Sequence, residues 1–313
     1  MPSAAIIGAG LIGRSWAIVF ARAGWEVRIT DPSADQLAAA PLLIRQGLDE
    51  LAVHGLAADP AAAARRVSAV ASLAEAVRGV DLVQENGPEL VEIKRELFAE
   101  LDRLAPDRAI LASSSSAIVA SRFTETLAHR ERCLVAHPVN PPHLVPLVEL
   151  CGAPWTALDV VERARGIYDA VGQVPIVVNR EVEGFVLNRL QGALLSEALR
   201  LVGEGIVGPH DLDKTVKDGL GLRWSFLGPF ETIELNAPGG IADYCARYGG
   251  FYRRLAADAP KPEVWDEASV TRILAAWDET PAADRLAAKS AWRDARLTAL
   301  RAHKAAQTPS DAA

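Results

Sequence analysis

Apolar residues in the first half of the chain recur with two alternating periods. Short runs read as strands: Ile6-Ile7, Trp25–Thr30, Val67–Ala71, Val80–Gln84, Ala109–Ala112, Arg132–His137, Val145–Leu150 and Val174–Val178. Between them the spacing becomes helical. Trp16, Ile18, Val19, Phe20 and Ala23 give one helix its inner face before Gly24 stops it. The Ala/Leu-rich stretch from Ser33 to Ala64 reads as two helices broken near Gly55 and Pro60, long for a crossover and suited to an arm over the domain. Ser72 caps a brief helix through Val77, Pro88 and Glu89 open one to Leu104, and Thr156–Val171 forms another with Gly172 as its C-cap. Strands and helices in alternation predict an α/β fold with a doubly wound, mainly parallel sheet.

From Gly184 the alternation stops. Phe185, Leu187, Leu190, Leu194, Leu195, Ala198 and Leu201 suit a largely buried helix. Gly208-Pro209 with Asp211 and Asp213 starts a second, which Gly219 and Gly221 end. The remainder reads as helices broken by prolines and paired glycines, with Thr280-Pro281 starting a last one to Ala306 and a frayed tail beyond. The expected organisation is an α/β domain over 1–183 and an all-α domain over 184–313, with no internal repeat and no low-complexity linker.

The first strand runs into Gly8-Ala9-Gly10-Leu11-Ile12-Gly13 and then the first helix. Strand, G-x-G-x-x-G turn and helix start form the opening unit of a Rossmann-type dinucleotide-binding domain. Gly8 permits the sharp turn, Gly10 brings no side chain against a pyrophosphate, and Gly13 lets the helix lie close on the strand. The helix start offers unpaired N–H groups and partial positive charge to the phosphates. Asp31 ends the second strand eighteen positions after Gly13. A carboxylate there accepts ribose hydroxyls and repels a 2′-phosphate, which favours NAD over NADP.

Composition narrows the function classes. Half of the 313 residues are hydrophobic, enough for a substantial core. A net charge of −7 argues against a nucleic-acid surface and against a polybasic membrane patch. No apolar run is long enough to span a bilayer. Cys133, Cys151 and Cys245 show no C-x-x-C spacing and cannot all pair, which fits a reducing cytoplasm, and no metal site is expected. The chain enters a strand almost at once, so no signal peptide is expected.

Oxidising an alcohol beside a nicotinamide requires a base for the hydroxyl proton, and histidine has the natural pKa. Of six histidines, His54, His129, His210 and His303 fall in polar or surface segments. His143 follows two prolines in a loop and competes with His137, which ends a strand where the ligand crevice of such sheets lies. Glu149 follows twelve residues later, and if the two runs pair its carboxylate reaches the imidazole and stabilises the imidazolium. Ser113–Ser116 follows another strand at the same end.

With the glycine motif and the serine run, Ala136-His137-Pro138-Val139-Asn140-Pro141-Pro142, Leu147-Val148-Glu149, Gly184-Phe185-Val186-Leu187-Asn188-Arg189 and Trp292-Arg293-Asp294 resemble the L-3-hydroxyacyl-CoA dehydrogenase superfamily. The similarity is closest to its lambda-crystallin branch, which includes L-gulonate 3-dehydrogenase, and it covers nearly the whole chain. It implies His137 as base, Glu149 as its partner, and Ser116 and Asn188 as hydrogen-bonding groups for substrate in a cleft between the domains. It further implies that Leu11, Ile12, Asp31, Glu89 and Lys94 line NAD, and that the chain forms a homodimer through its helical domain. Acyl-CoA members usually carry His-Phe-Phe-Asn-Pro where this chain has His137-Pro138-Val139-Asn140-Pro141, as in the gulonate branch. A small free L-3-hydroxy acid is therefore the expected substrate. Its carboxylate requires a cation: Arg223 in Gly221-Leu222-Arg223-Trp224, with Arg189 as competitor. A short 3-hydroxyacyl-CoA, another 3-hydroxy acid such as carnitine, or a structural NAD-binding role as in lens crystallins are the alternatives.

Overall fold

The computed structural model describes residues 1–277 and 282–307. In order, β1 (Ser3–Ile7), α1 (Leu11–Arg22), β2 (Glu26–Thr30), α2 (Ala34–Val53), α3 (Pro60–Arg65), β3 (Val67–Ala69), α4 (Leu73–Val77) and β4 (Leu82–Glu85) open the chain. Next come α5 (Val91–Leu104), β5 (Ile110–Ser113), α6 (Ser121–Thr124), β6 (Cys133–Pro138), β7 (Leu147–Gly152), α7 (Leu158–Ala170) and β8 (Val174–Val178). All eight strands form one sheet in the order β3-β2-β1-β4-β5-β6-β7-β8. Every pairing is parallel except β6 with β7. The strand order reverses beside β1, where the glycine turn lies, as it does at the ligand crevice of doubly wound sheets.

The pleat sorts the core into two layers. Ala4 and Ile6 of β1, Leu82 of β4 and Ile110 of β5 face one cluster with Trp16, Phe20, Ile44, Leu48 and Tyr168. Their neighbours Ala5, Ile7, Val83 and Leu111 face the other, with Phe98, Leu101 and Phe123. This is the period-two alternation of strands buried on both faces. The Ser33–Val53 arm joins the first layer through Ala40, Ile44, Leu48 and Leu51, at helical spacing.

Contacts divide the chain into two units, Met1–Asn188 with the segment from Asp284 onward, and Arg189–Ala283. The expected assignment of 184–313 to one helical domain differs from this at its C-terminal end. Helix α14 (Ala283–Ala306) belongs to the first unit because Leu297 packs on its core and Thr298 is buried there. The second unit takes most of α8 (Leu187–Gly203), then α9 (Pro209–Lys214), α10 (Gly221–Trp224), α11 (Pro229–Glu234), α12 (Gly240–Ala257) and α13 (Glu267–Trp277).

Three local expectations change. Helix α5 begins at Val91, which leaves Glu89 outside it. The helix expected to stop at Gly219 and Gly221 continues through a π-helical turn over Thr215–Leu220 into α10, so Arg223 lies on a helix rather than after one. No residue of α8 is buried within the single chain, against the expected inner helix, and Leu190, Leu194 and Leu195 are exposed. The proposed start at Thr280-Pro281 and the tail beyond Gln307 lie outside the described residues.

Candidate active site

The glycine turn is built for a ligand that passes close to the backbone. Gly8 has φ +98°, and a Cβ there would meet the Asn86 carbonyl oxygen at 2.9 Å. Gly13 presses on the same turn: its missing Cβ would lie 1.9 Å from the Gly8 carbonyl oxygen. Gly10 is different, because only Gln36 Oε1 comes near, at 3.8 Å, and the space beside it is open. Gly10 is also the N-cap of α1 and supplies no side-chain cap, so the first amides of the helix are free for an anion. Leu11 beside them is half exposed, while Ile12 packs against the core.

Asp31 Oδ2 accepts the Ala9 N–H at 2.6 Å and Oδ1 accepts the Ser33 N–H at 2.7 Å. These two bonds fix the carboxylate at the end of β2 and leave lone pairs for ribose hydroxyls. A cavity of about 430 Å³ adjoins it, lined by Gly8, Asp31, Pro32, Ala71, Pro88 and Ile93 among others. The open face of Gly10, the uncapped helix start and the acid beside this cavity fit an adenine dinucleotide lacking a 2′-phosphate.

Strands β6 and β7 bring His137 and Glu149 together. Their antiparallel register sets His137 directly opposite Glu149, and directly opposed residues share a face. His137 Nδ1 lies 2.8 Å from Glu149 Oε2, and both side chains are buried. The other oxygen, Oε1, accepts the N–H groups of Val186 and Leu187 at 2.9 Å each. Gly184 (φ +77°) and Phe185 (φ +47°) adopt left-handed backbone just before these amides, a strained conformation for phenylalanine. Phe185 also packs against the His137 ring at a tilt, with centroids 5.5 Å apart. Burial works against charge on Glu149. The bonds from His137, Leu187 and Val186 outweigh it and hold the carboxyl below the usual carboxylate range. An ionised carboxylate only accepts, so Nδ1 carries a ring proton, and the neutral form of the ring presents a lone pair at Nε2.

The competing histidines separate on geometry. Burial, with Arg22 and Arg301 beside it, lowers His143 to about 4 against the pull of Asp294, so it stays neutral. His129 stands 3.4 Å from Asp102, and His210 stacks on Trp277.

The serine run is held by acids outside the motifs. Glu89 Oε1 accepts the Ser115 hydroxyl and the N–H groups of Ser116, Ala117 and Ile118. Burial opposes its charge, but these bonds and Lys94 keep its carboxyl below the usual range. The bond from Asn188 Nδ2 to the Ser116 carbonyl oxygen is 3.0 Å long. Asn188 follows Leu187, so His137, Glu149, Asn188 and Ser116 form one connected set. Lys94 does not line a surface: it is 1% exposed, with Nζ bonded to both oxygens of Glu85. Glu85 also accepts the Ser113 hydroxyl and the Gly87 N–H, so this buried pair braces the ends of β4 and β5.

Sequence reasoning passed over a second brace. Ser114 Oγ accepts from Trp16 Nε1 and Gln84 Nε2 and donates to Asn86 Oδ1, and Tyr168 donates to Gln84. Gln84, a polar residue inside the apolar strand β4, was the available signal. Arg189 and Arg223 are exposed, and Arg223 lies close enough to Tyr244 to affect its titration.

Comparison with known proteins agrees with this geometry. Residues 3–182 match the NAD-binding domain of 3-hydroxyacyl-CoA dehydrogenase and residues 184–270 match the C-terminal domain of the same family. A lambda-crystallin homologue from Bos taurus is 46% identical over 95% of this chain and 94% of its own length. An L-carnitine dehydrogenase from Pseudomonas sp. is 38% identical over 83% of this chain and 81% of its own. Among solved structures, 5-formyl-3-hydroxy-2-methylpyridine 4-carboxylic acid 5-dehydrogenase, an NAD+-dependent dismutase, superposes with TM-score 0.85 at 28% identity, over 98% of this chain and all (100%) of that one. With both domains of the family matched, over 3–182 and 184–270, and an NAD cradle in place, the chain belongs to the 3-hydroxyacyl-CoA dehydrogenase family, with NAD as its cofactor.

Proposed function

We propose that the protein oxidises a small free L-3-hydroxy acid to the 3-keto acid, with a sugar acid of the L-gulonate type as the leading substrate. The observation that carries this is the buried bond of 2.8 Å between His137 and Glu149, which leaves Nε2 as an acceptor. Bound nicotinamide supplies the acceptor for the hydride from C3. His137 Nε2 takes the hydroxyl proton as that hydride leaves, and ionised Glu149 stabilises the resulting imidazolium. Ser116 and Asn188 hold the substrate oxygens. Gly8, Gly10, Leu11, Ile12 and Gly13 receive the cofactor, Asp31 selects its ribose, and Glu89 and Lys94 support it by shaping the serine turn. Arg223 is the proposed anchor for the substrate carboxylate.

The segment Pro138-Val139, without the aromatic pair of acyl-CoA enzymes, favours a free acid over a thioester. The carnitine dehydrogenase relative supports a second reading, in which the acid carries a quaternary ammonium group. Following NADH absorbance with L-gulonate, L-carnitine and 3-hydroxybutyryl-CoA decides between them. The gulonate reading expects the highest kcat/KM there. Preference for either other compound overturns it, and silence across the panel points to a crystallin-like structural role. The same assay on Arg223→Ala expects a higher KM for the acid, and an unchanged KM removes the anchor.

The exposed leucines of α8 support a homodimer through the helical region, since solvent is a poor partner for such a stripe. Sedimentation should give twice the 33.4 kDa chain mass, and a monomer at micromolar concentration refutes it. No helix among the described residues is long and apolar enough to cross a membrane, and all three cysteines are free thiols. Both fit the proposed cytoplasmic location.

A further inference from the structure

Helix α14 lies beyond residue 270, where the match to the family's C-terminal domain ends, yet it packs on the first unit. Its Arg301 donates through Nη1 to the His143 carbonyl oxygen and through Nη2 to the Gly172 carbonyl oxygen at 3.2 Å. Arg22, the last residue of α1, donates to the same His143 oxygen at 3.4 Å. That carbonyl belongs to the connection between β6 and β7, the two strands that carry His137 and Glu149. The connection has further ties to the start of β8: Gln173 Nε2 donates to the Pro142 oxygen at 3.1 Å and Val174 N–H to the Pro146 oxygen at 2.8 Å.

We propose that Arg301 is a positioning residue for His137, acting through this connection. The proposal rests on the reading of His137 as the base. Two guanidiniums converge on one carbonyl, and among the described residues the contacts of neither include a carboxylate. Burial and the charge of Arg301 bring Arg22 down to about 10, a cost that packing alone does not require. What the pair secures is the path of the backbone between the two catalytic strands. A ring displaced by about 1 Å can lose on the order of 100-fold in rate, so small shifts of this connection count. Lysine cannot replace the function fully, because a point charge does not fork between the His143 and Gly172 oxygens.

The test compares Arg301→Met and Arg301→Lys with Leu297→Ala, which loosens α14 on the core without removing a hydrogen bond to the connection. Arg301→Met should lower kcat by about 10- to 100-fold with KM for NAD within about twofold. Arg301→Lys should recover part of the loss, and Leu297→Ala should lower Tm while keeping kcat. The 15N shifts of the His137 ring, read without substrate, should show mixed tautomers in Arg301→Met and only the Nδ1–H form in the parent. An unchanged kcat and ring signature in both Arg301 variants, or an equal kcat loss in Leu297→Ala, overturns the proposal. If Arg301→Met does not fold, Arg301→Lys carries the same two readouts. The ring signal needs no turnover, so it separates failure of this inference from failure of His137 as base.

Discussion

His137→Gln should lower kcat by about 10²- to 10⁴-fold while NAD binds as in the parent. Glutamine fills a similar volume and its amide can still donate to Glu149, so the β6–β7 pairing has no reason to move. What disappears is the lone pair proposed to take the hydroxyl proton. The glycine turn and Asp31, the proposed cofactor cradle, are built on β1, α1 and β2, and His137 takes no part in the bonds that hold them. The expected result is therefore a split: NADH formation nearly abolished, and cofactor affinity within about twofold by fluorescence titration. Turnover within tenfold of the parent would show that another group takes the proton. His143 is a poor replacement, since it is buried and held neutral with a pKa of about 4.

The second large effect separates two glycines of one motif. At Gly10 the backbone is ordinary (φ −66°) and a methyl group meets nothing closer than 3.8 Å, so Gly10→Ala should fold and melt like the parent. The methyl stands in the open space beside the helix start, where a pyrophosphate must approach, and NAD affinity should fall at least tenfold, about 1.4 kcal/mol. At Gly13 the methyl would sit 1.9 Å from the Gly8 carbonyl oxygen. Neither backbone can yield without lifting α1 from β1, so Gly13→Ala should lose about 1–3 kcal/mol of stability in addition to its cofactor affinity. Calorimetric binding and thermal melts on the two variants read this directly. Parent-like NAD binding by Gly10→Ala would remove the cradle from that position.

Most of the sheet was legible because its strands are short and dense and, except between β5 and β6, separated by glycine or proline, and burial on both faces leaves such runs few alternatives. The pairing of His137 with Glu149 was legible only as a condition, since register is decided by strands twelve residues apart in sequence. Lys94, expected from the resemblance to line NAD, is buried with its charge neutralised by Glu85, a glutamate inside an apolar strand, and its spacing from Glu89 carries no sign of that pairing. Helix α8 was read as internal from its leucines, and leucine spacing does not say whether the covering surface belongs to the same chain. The return of α14 to the first unit has no local signature at all, because Leu297, Thr298 and Arg301 become meaningful only once their distant partners are known.

Glu149 serves two customers with one charge. One oxygen orients the imidazole and the other fastens the backbone at Val186 and Leu187, where the chain is about to leave the first unit. Chemistry and architecture therefore differ in how readily they can be given up. A descendant that abandons turnover can discard the ring at position 137 and keep its shape, but neutralising position 149 disturbs both the proton acceptor and the route of the chain into its next helix.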